Sequence, residues 1–282
     1  MSSLRICMQN IRKWGSNPRV KMCLVLAVLF VYTYTSGLRM LAGNLNIDMN
    51  PWIFPFLFTH QYKKVTFMLP LLFIFCDAPF IDGNQTYVIL RANRKSWSIG
   101  QLLYIMMGSF LYALLLLVST FVCNIGYIKW GTTWGTVLGT AGPGGGLSAM
   151  KQSMSTVYVS NIIVRYYTPL QAMFFAFLLM WMSFILIGLV VYVMNVLTRT
   201  QMTGTLIAGF FILMTVVADI RNQLTILSPI SWNSLNKIDV ANTTSFPSIE
   251  FVLLVYIIII SVLVCMAVFL GKRQEIIVKE ED

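Results

Sequence analysis

The stretches LLYIMMGSFLYALLLLVSTFVC (residues 102–123) and IEFVLLVYIIIISVLVCMAVFLG (residues 249–271) decide the fold. Each is a long apolar run, and Glu250 is the one charge in the pair. A helix rises 1.5 Å per residue, so about 20 such residues cross a hydrocarbon layer roughly 30 Å thick. In that layer the backbone has no water to bond to, and a helix satisfies its own amides.

Working outward, four further apolar runs cover about 22–41, 62–81, 169–197 and 202–219. The sequence therefore predicts an all-α integral membrane protein. It has six transmembrane helices in a single domain over 1–282. The run 62–81 holds Pro70 and Pro79, so its helix bends at the first and ends near the second. The run 169–197 is long enough to tilt or to extend beyond the bilayer. Composition agrees: 57% of the 282 residues are hydrophobic and 11% are charged, against roughly 25% charged in soluble domains. The first apolar run follows a long basic stretch and continues into a full span, which reads as an uncleaved first helix.

The net charge of +10 fits membrane orientation and anionic headgroups. Nucleic acid is not expected as a partner, because no basic stripe with interleaved aromatics stands clear of the spans. The cysteines (Cys7, Cys23, Cys76, Cys123 and Cys265) form no C-x-x-C pair, and His60 is the sole histidine. Neither a zinc site nor a disulfide framework is implied, and the thiols read as small buried hydrophobes.

Lysine and arginine set the orientation. With the N-terminus in the cytoplasm, the inner segments carry Arg5, Arg12, Lys13, Arg19, Lys21, Arg91, Arg94, Lys95, Arg199, Lys272, Arg273 and Lys279, which is 12 of the 20 basic residues. These segments are shorter than the outer ones, so both termini are expected inside. Lys63 and Lys64 stand on the opposite side.

Before the first span, Leu4, Met8, Ile11 and Trp14 recur at helical spacing among Arg5, Gln9, Arg12 and Lys13. That pattern predicts an amphipathic helix lying in the membrane interface, with Gly15 to Pro18 turning the chain into the span. On the outside, GTTWGTVLGTAGPGGG (131–146) reads as a glycine-rich loop, although Gly131, Gly135 and Gly139 have the spacing of close helix packing. The following 147–167 has the pattern of a helix lying on the outer face, and 228–248 reads as turns with short helical pieces.

Chemistry-bearing patterns are few. GPGGG (142–146) is followed by no Lys-Ser or Lys-Thr, so it is no Walker A loop. No serine–histidine pairing and no pair of intramembrane carboxylates is present, so no intrinsic active site is expected. Asp77 reads as a helix terminator, and Asp219 with Arg221 as a local surface pair.

The stretch DGNQTYVILRANRKSWSIGQ (82–101) joins the second and third spans on the inner side. Asp82 followed by Gly83 can start a short helix. Tyr87 and Leu90 then share a face, Arg91, Arg94 and Lys95 follow, and Trp97 marks re-entry to the interface. The order of features resembles the six-span permease subunits of ATP-binding-cassette exporters (type V exporter fold, the ABC-2-type permeases). In that family an acidic residue, a glycine, a leucine and a basic cluster lead into span three; here these are Asp82, Gly83, Leu90, and Arg91 with Arg94 and Lys95, then Gly100. Gln101 stands where the family often has lysine, and no proline precedes the basic cluster.

The resemblance implies the following. The interfacial helix would be the family's elbow helix. Asp82, Gly83, Asn84, Gln85, Thr86, Tyr87, Leu90, Arg91, Arg94 and Lys95 would form a cytoplasmic coupling helix seated on an ATPase subunit. Thr198, Arg199 and Thr200 would make a second, smaller contact. Two permease chains, identical or different, would pair. The pathway between them would be lined by Tyr32, Tyr34, Phe67, Phe73, Phe210, Phe211 and Met214, which suits an amphipathic peptide or lipid-like cargo. This chain would bind no cofactor and catalyse nothing itself, since ATP and Mg would sit on the partner ATPase. A multi-pass location in a bacterial plasma membrane follows. A non-transporting scaffold or sensor subunit and an ion-coupled carrier using Asp77 are the competing readings.

Overall fold

The computed structural model of the chain describes residues 3–80, 93–141, 157–220, 225, 228–239 and 246–273. Among them the fold is all-helical, with no strand and two isolated bridges, Met49 with Ile128 and Asp239 with Ser248. The described α-helices are α1 (Ser3–Arg12), α2 (Pro18–Tyr34), α3 (Ser36–Leu45), α4 (Gln61–Phe75), α5 (Arg94–Val122), α6 (Gly135–Ala141), α7 (Asn161–Tyr166), α8 (Pro169–Thr198), α9 (Thr203–Ile220) and α10 (Ile249–Arg273).

Five stretches among the described residues are long and apolar enough to cross a membrane: Pro18–Asn44, Arg94–Val122, Pro169–Thr198, Thr203–Ile220 and Ile249–Gly271. The chain is an all-α, multi-pass membrane protein. The expected span 62–81 is not among the five. Its helix, α4, has 15 residues, about 22 Å at 1.5 Å per residue, which is less than a bilayer core. Pro79 lies just beyond its end, without an amide to donate and pushing the preceding residue out of the helical region. Phe80 then takes a positive φ of 59°.

The other spans differ mainly at their ends. α5 begins at Arg94, well before the expected 102, because Trp97, Ser98, Gly100 and Gln101 are buried against other helices. Gly100 touches Ile6 so closely that a Cβ there would lie 2.8 Å from the Ile6 Cβ. Asn17 caps α2 by accepting from the Arg19 amide at 3.0 Å, with Pro18 at the first helical position. At Thr35 the first span breaks into α2 and α3. The Thr35 hydroxyl donates to the Val31 carbonyl at 2.9 Å, and Arg39 donates to the same hydroxyl at 2.9 Å.

α8 is apolar all round and stands in the centre, packed on α4, α5, α9 and α10. α4 lies between α2 and α9. An aromatic stack fills the middle: Phe58 lies 5.7 Å from Phe67 and 5.9 Å from Phe184, and Tyr112 is 5.4 Å from Phe184. The buried Tyr112 hydroxyl donates to the Phe67 carbonyl at 2.7 Å.

Connections at the far end pack inward. Ile53, Phe54, Phe56, Leu57 and Phe58 are fully buried around the 3-10 turn Phe54–Phe56. Ile230 and Trp232 are buried in the 3-10 turn Pro229–Asn233, which touches α8, α9 and α10. Part of the expected glycine-rich loop is helical, as α6. Gly135 supplies a φ of +71°, and a Cβ at Gly131 or Gly135 would lie 2.9 or 2.7 Å from the Asn50 side chain. Gly139 faces open space, so the glycine spacing serves Asn50 rather than a partner helix. Residues 142–146 of the expected loop and 147–156 of the expected surface helix lie outside the described residues; the described part of that helix includes the short α7.

Gly188 sits where α8 meets α4 and α5. A Cβ there would be 2.6 Å from the Ile105 Cγ2 and 3.0 Å from the Phe75 ring. Gly188→Val should lower thermal stability in detergent, costing about 1–3 kcal/mol by overpacking. Gly139→Ala should leave it unchanged or slightly higher.

Candidate functional site

The helices alternate in direction. One end of the bundle therefore gathers α1, the starts of α2, α5 and α9, and the ends of α4, α8 and α10. We call it the N-terminal end. Polar contacts mark it. Asn10 Nδ2 donates to the buried Gln101 Oε1 at 2.7 Å, which seats α1 on α5. Trp14 Nε1 donates to the Tyr104 hydroxyl at 2.8 Å. Arg19 Nη1 donates to Asp77 Oδ1 at 2.7 Å, and Nη2 pairs with the second carboxylate oxygen. The fork geometry is favourable, but both side chains are a third to a half exposed (36% and 50%), so the pair adds little to stability. Asn10, Trp14, Arg19, Asp77 and Tyr104, with Lys13 and Phe80, line a shallow surface crevice.

The residues expected to carry function fall as follows. Asp82, Gly83, Asn84, Gln85, Thr86, Tyr87, Leu90 and Arg91 lie outside the described residues. Arg94 and Lys95 occupy the first turn of α5, at the N-terminal end. Thr198 closes α8, and Arg199 takes a left-handed conformation (φ 57°). The Thr198, Thr200 and Thr203 hydroxyls then form one exposed cluster, with Thr200 and Thr203 2.5 Å apart. The connection between α8 and α9 is thus a tight turn at the same end.

α1 buries Ile6, Cys7 and Asn10 against α5 and leaves Leu4 and Met8 exposed, with Ile11 and Trp14 half-buried. Among the expected pathway residues, Tyr34 and Phe67 are core, stacked edge-on at 5.8 Å. Tyr32, Phe73, Phe210, Phe211 and Met214 point outward from α2, α4 and α9, three neighbouring helices. Among the described residues no three His, Cys, Asp or Glu side chains gather as a metal would require.

The sequence reading missed a buried ion pair at the opposite end. Asp219 is buried rather than at the surface, and Arg221, its expected partner, lies outside the described residues. The Asp219 Oδ2 lies 2.5 Å from Lys64 Nζ, with both side chains almost fully enclosed. The Asp219 carbonyl also accepts from Lys237 at 3.3 Å. The available signal was Lys64 itself, a cation at odds with the charge bias. Nearby, His60 precedes α4 with its Nδ1 buried and unpartnered. Burial, with a further push from Lys63, holds the imidazole below its ordinary range.

No family model matches the chain, and neither a curated protein nor a solved structure matches it.

Two outcomes follow from the far end. Lys64→Met or Asp219→Asn alone strands a buried partner and should cost about 3–5 kcal/mol, read by unfolding in detergent. Lys64→Met with Asp219→Leu should recover most of that loss. For His60 the folded pKa is depressed, so its contribution is full above the free imidazole pKa and falls as pH drops through that value toward the folded one. His60→Gln should flatten the decline in stability as pH falls below about 6.5.

Proposed function

We propose that this chain is the membrane-spanning permease subunit of an ATP-binding-cassette exporter. It couples ATP hydrolysis in partner ATPase subunits to movement of a substrate across a bacterial plasma membrane. The observation that carries the reading is the gathering, at one end of the bundle, of the described parts of the segments expected to meet the cytoplasm. The amphipathic α1 lies across α5 there, the turn 76–80 after α4 and the start of α5 lie there, and the turn at Thr198, Arg199 and Thr200 lies there too.

On this reading α1 is the elbow helix, with Leu4 and Met8 free to enter lipid. The segment 82–95 is the main ATPase contact and 198–200 the lesser one. The outward side chains of α2, α4 and α9 face a second permease chain, and Tyr32, Phe73, Phe210, Phe211 and Met214 border the path between the two. An amphipathic peptide or lipid-like cargo suits that surface. α4 makes the sixth crossing together with the turn 76–80 after it, which lengthens a short helix. ATP and Mg are held by the partner, and both termini are cytoplasmic.

A second reading, an ion-coupled carrier, is favoured by one observation: the enclosed Asp219 with Lys64. It would rest on Asp219 rather than Asp77, which bonds Arg19 at a partly exposed site. Asp219→Asn would then abolish ion-driven flux.

The deciding experiment is purification of the tagged chain from its native membrane in mild detergent. An ATPase subunit should co-purify, and Arg91→Glu with Arg94→Glu should reduce its recovery about ten-fold through charge repulsion. Absence of any ATPase from the wild-type preparation would overturn the proposal.

A further inference from the structure

The turn 76–80 ends α4 and leads into the segment assigned above to ATPase docking. Three elements hold it. Arg19 of α2 grips Asp77. The Phe80 ring lies 4.7 Å from the Tyr104 ring of α5, edge to face. Asn195, in the last turns of α8, makes the third contact and the most connected one.

Asn195 is 2% exposed. Its Nδ2 donates to the Ala78 carbonyl at 2.8 Å, with the Cys76 carbonyl at 3.5 Å. Its Oδ1 accepts from the Gly204 amide at 2.7 Å, in the first turn of α9. That amide is one of the orphan donors at a helix start, and the side chain of another helix satisfies it. Gly204 is required there, because a Cβ would collide with the Val191 carbonyl and lie 2.6 Å from Asn195 Oδ1. One amide side chain therefore joins the end of α4, the end of α8 and the start of α9. It sits three residues before Thr198 in the chain. Asn195 thus ties 76–80, which leads into one proposed ATPase contact, to the helix that ends at the other, 198–200.

We infer that Asn195 is the positioning residue that makes the two inner contacts move as one body and passes their displacement to α9. This rests on the permease reading for what pushes on the contacts, though not for the linkage itself. A buried amide with a carbonyl on its donor side and an amide on its acceptor side is satisfied in one orientation only. It transmits position in a way that an apolar side chain of the same size does not. α9 carries Phe210, Phe211 and Met214 outward, so the linkage runs from the docking end to the proposed pathway without leaving described residues.

The substitution Asn195→Asp separates the two halves. Read at alkaline pH, where the carboxylate has no O–H to replace the amide donor, it keeps an acceptor for the Gly204 amide and removes the donor to Ala78. The test compares wild type, Asn195→Asp and Asn195→Ala, with Asn195→Ser used if Asn195→Asp does not accumulate. Three quantities are measured: ATPase co-purification, ATP turnover of the captured complex in lipid vesicles, and amide exchange of the 76–80 and 203–206 peptides.

In Asn195→Asp, exchange at 76–80 should rise about five-fold, as expected for one lost hydrogen bond, while 203–206 stays protected. In Asn195→Ala both should rise. ATPase recovery should stay at the wild-type level while turnover falls toward that of the free ATPase, a split that a purely structural role would not produce. Wild-type exchange at 76–80 and wild-type turnover in Asn195→Asp would overturn the inference. If wild type captures no ATPase, the permease reading fails, and the exchange measurement still decides whether Asn195 links the three elements.

Discussion

A helix that is apolar on every side has no face to give to water. α8 is such a helix, and its burial organises everything around it. Four helices lean on it, and Gly188 lets α4 and α5 approach it within side-chain contact. The lipid-facing helices lie around this post. α10, more apolar than most, is the least buried of the spanning helices (17%). Apolar composition alone therefore does not separate the central helix from a peripheral one. What separates them is their neighbours: α8 packs on four helices, whereas α10 packs chiefly on α8 and α5.

Much of the fold was legible for the simple reason that bilayer thickness sets helix length. The spans 169–197, 202–219 and 249–271 match their helices almost residue for residue, because each run begins and ends at turn residues or at a change of polarity. The failures share a cause. Hydropathy treats every residue as facing lipid, whereas the polar start of α5 and the apolar 53–58 face protein. Gln101 looks like loop and is fully buried; Phe54 and Phe56 lie between spans and belong to the core. α4 fell short because its proline boundary weighed more than its hydropathy. For the candidate site, order along the chain gave the positions of Arg94 and Lys95 beside one span and of Thr198 to Thr200 at the end of another, while 82–91 lie outside the described residues. The site was not legible in its fastenings, since Lys64 with Asp219, and Asn195 with Ala78 and Gly204, are separated by 155, 117 and 9 residues.

Those fastenings answer a weakness of α4. A short helix with a proline inside it makes fewer backbone bonds than its neighbours. α4 is held instead by polar contacts near both ends: Lys64 to α9 at one, and Asp77 and the 76–78 carbonyls to α2 and α8 at the other. In a low-dielectric surround such contacts are directional and costly to leave unmet. They give α4 a defined place where packing alone would let it slide.

The seating of α1 has a consequence of its own. Its buried tie to α5 is between two neutral amides, Asn10 and Gln101, while its connection onward to α2 passes the exposed charges of Arg19 and Asp77. Dissolved ions screen the second and leave the first untouched. Changes in ionic strength at that end would thus reach the contact between α2 and the end of α4 without lifting α1 from its bed. The protein has separated an anchor indifferent to its surroundings from a contact that feels them.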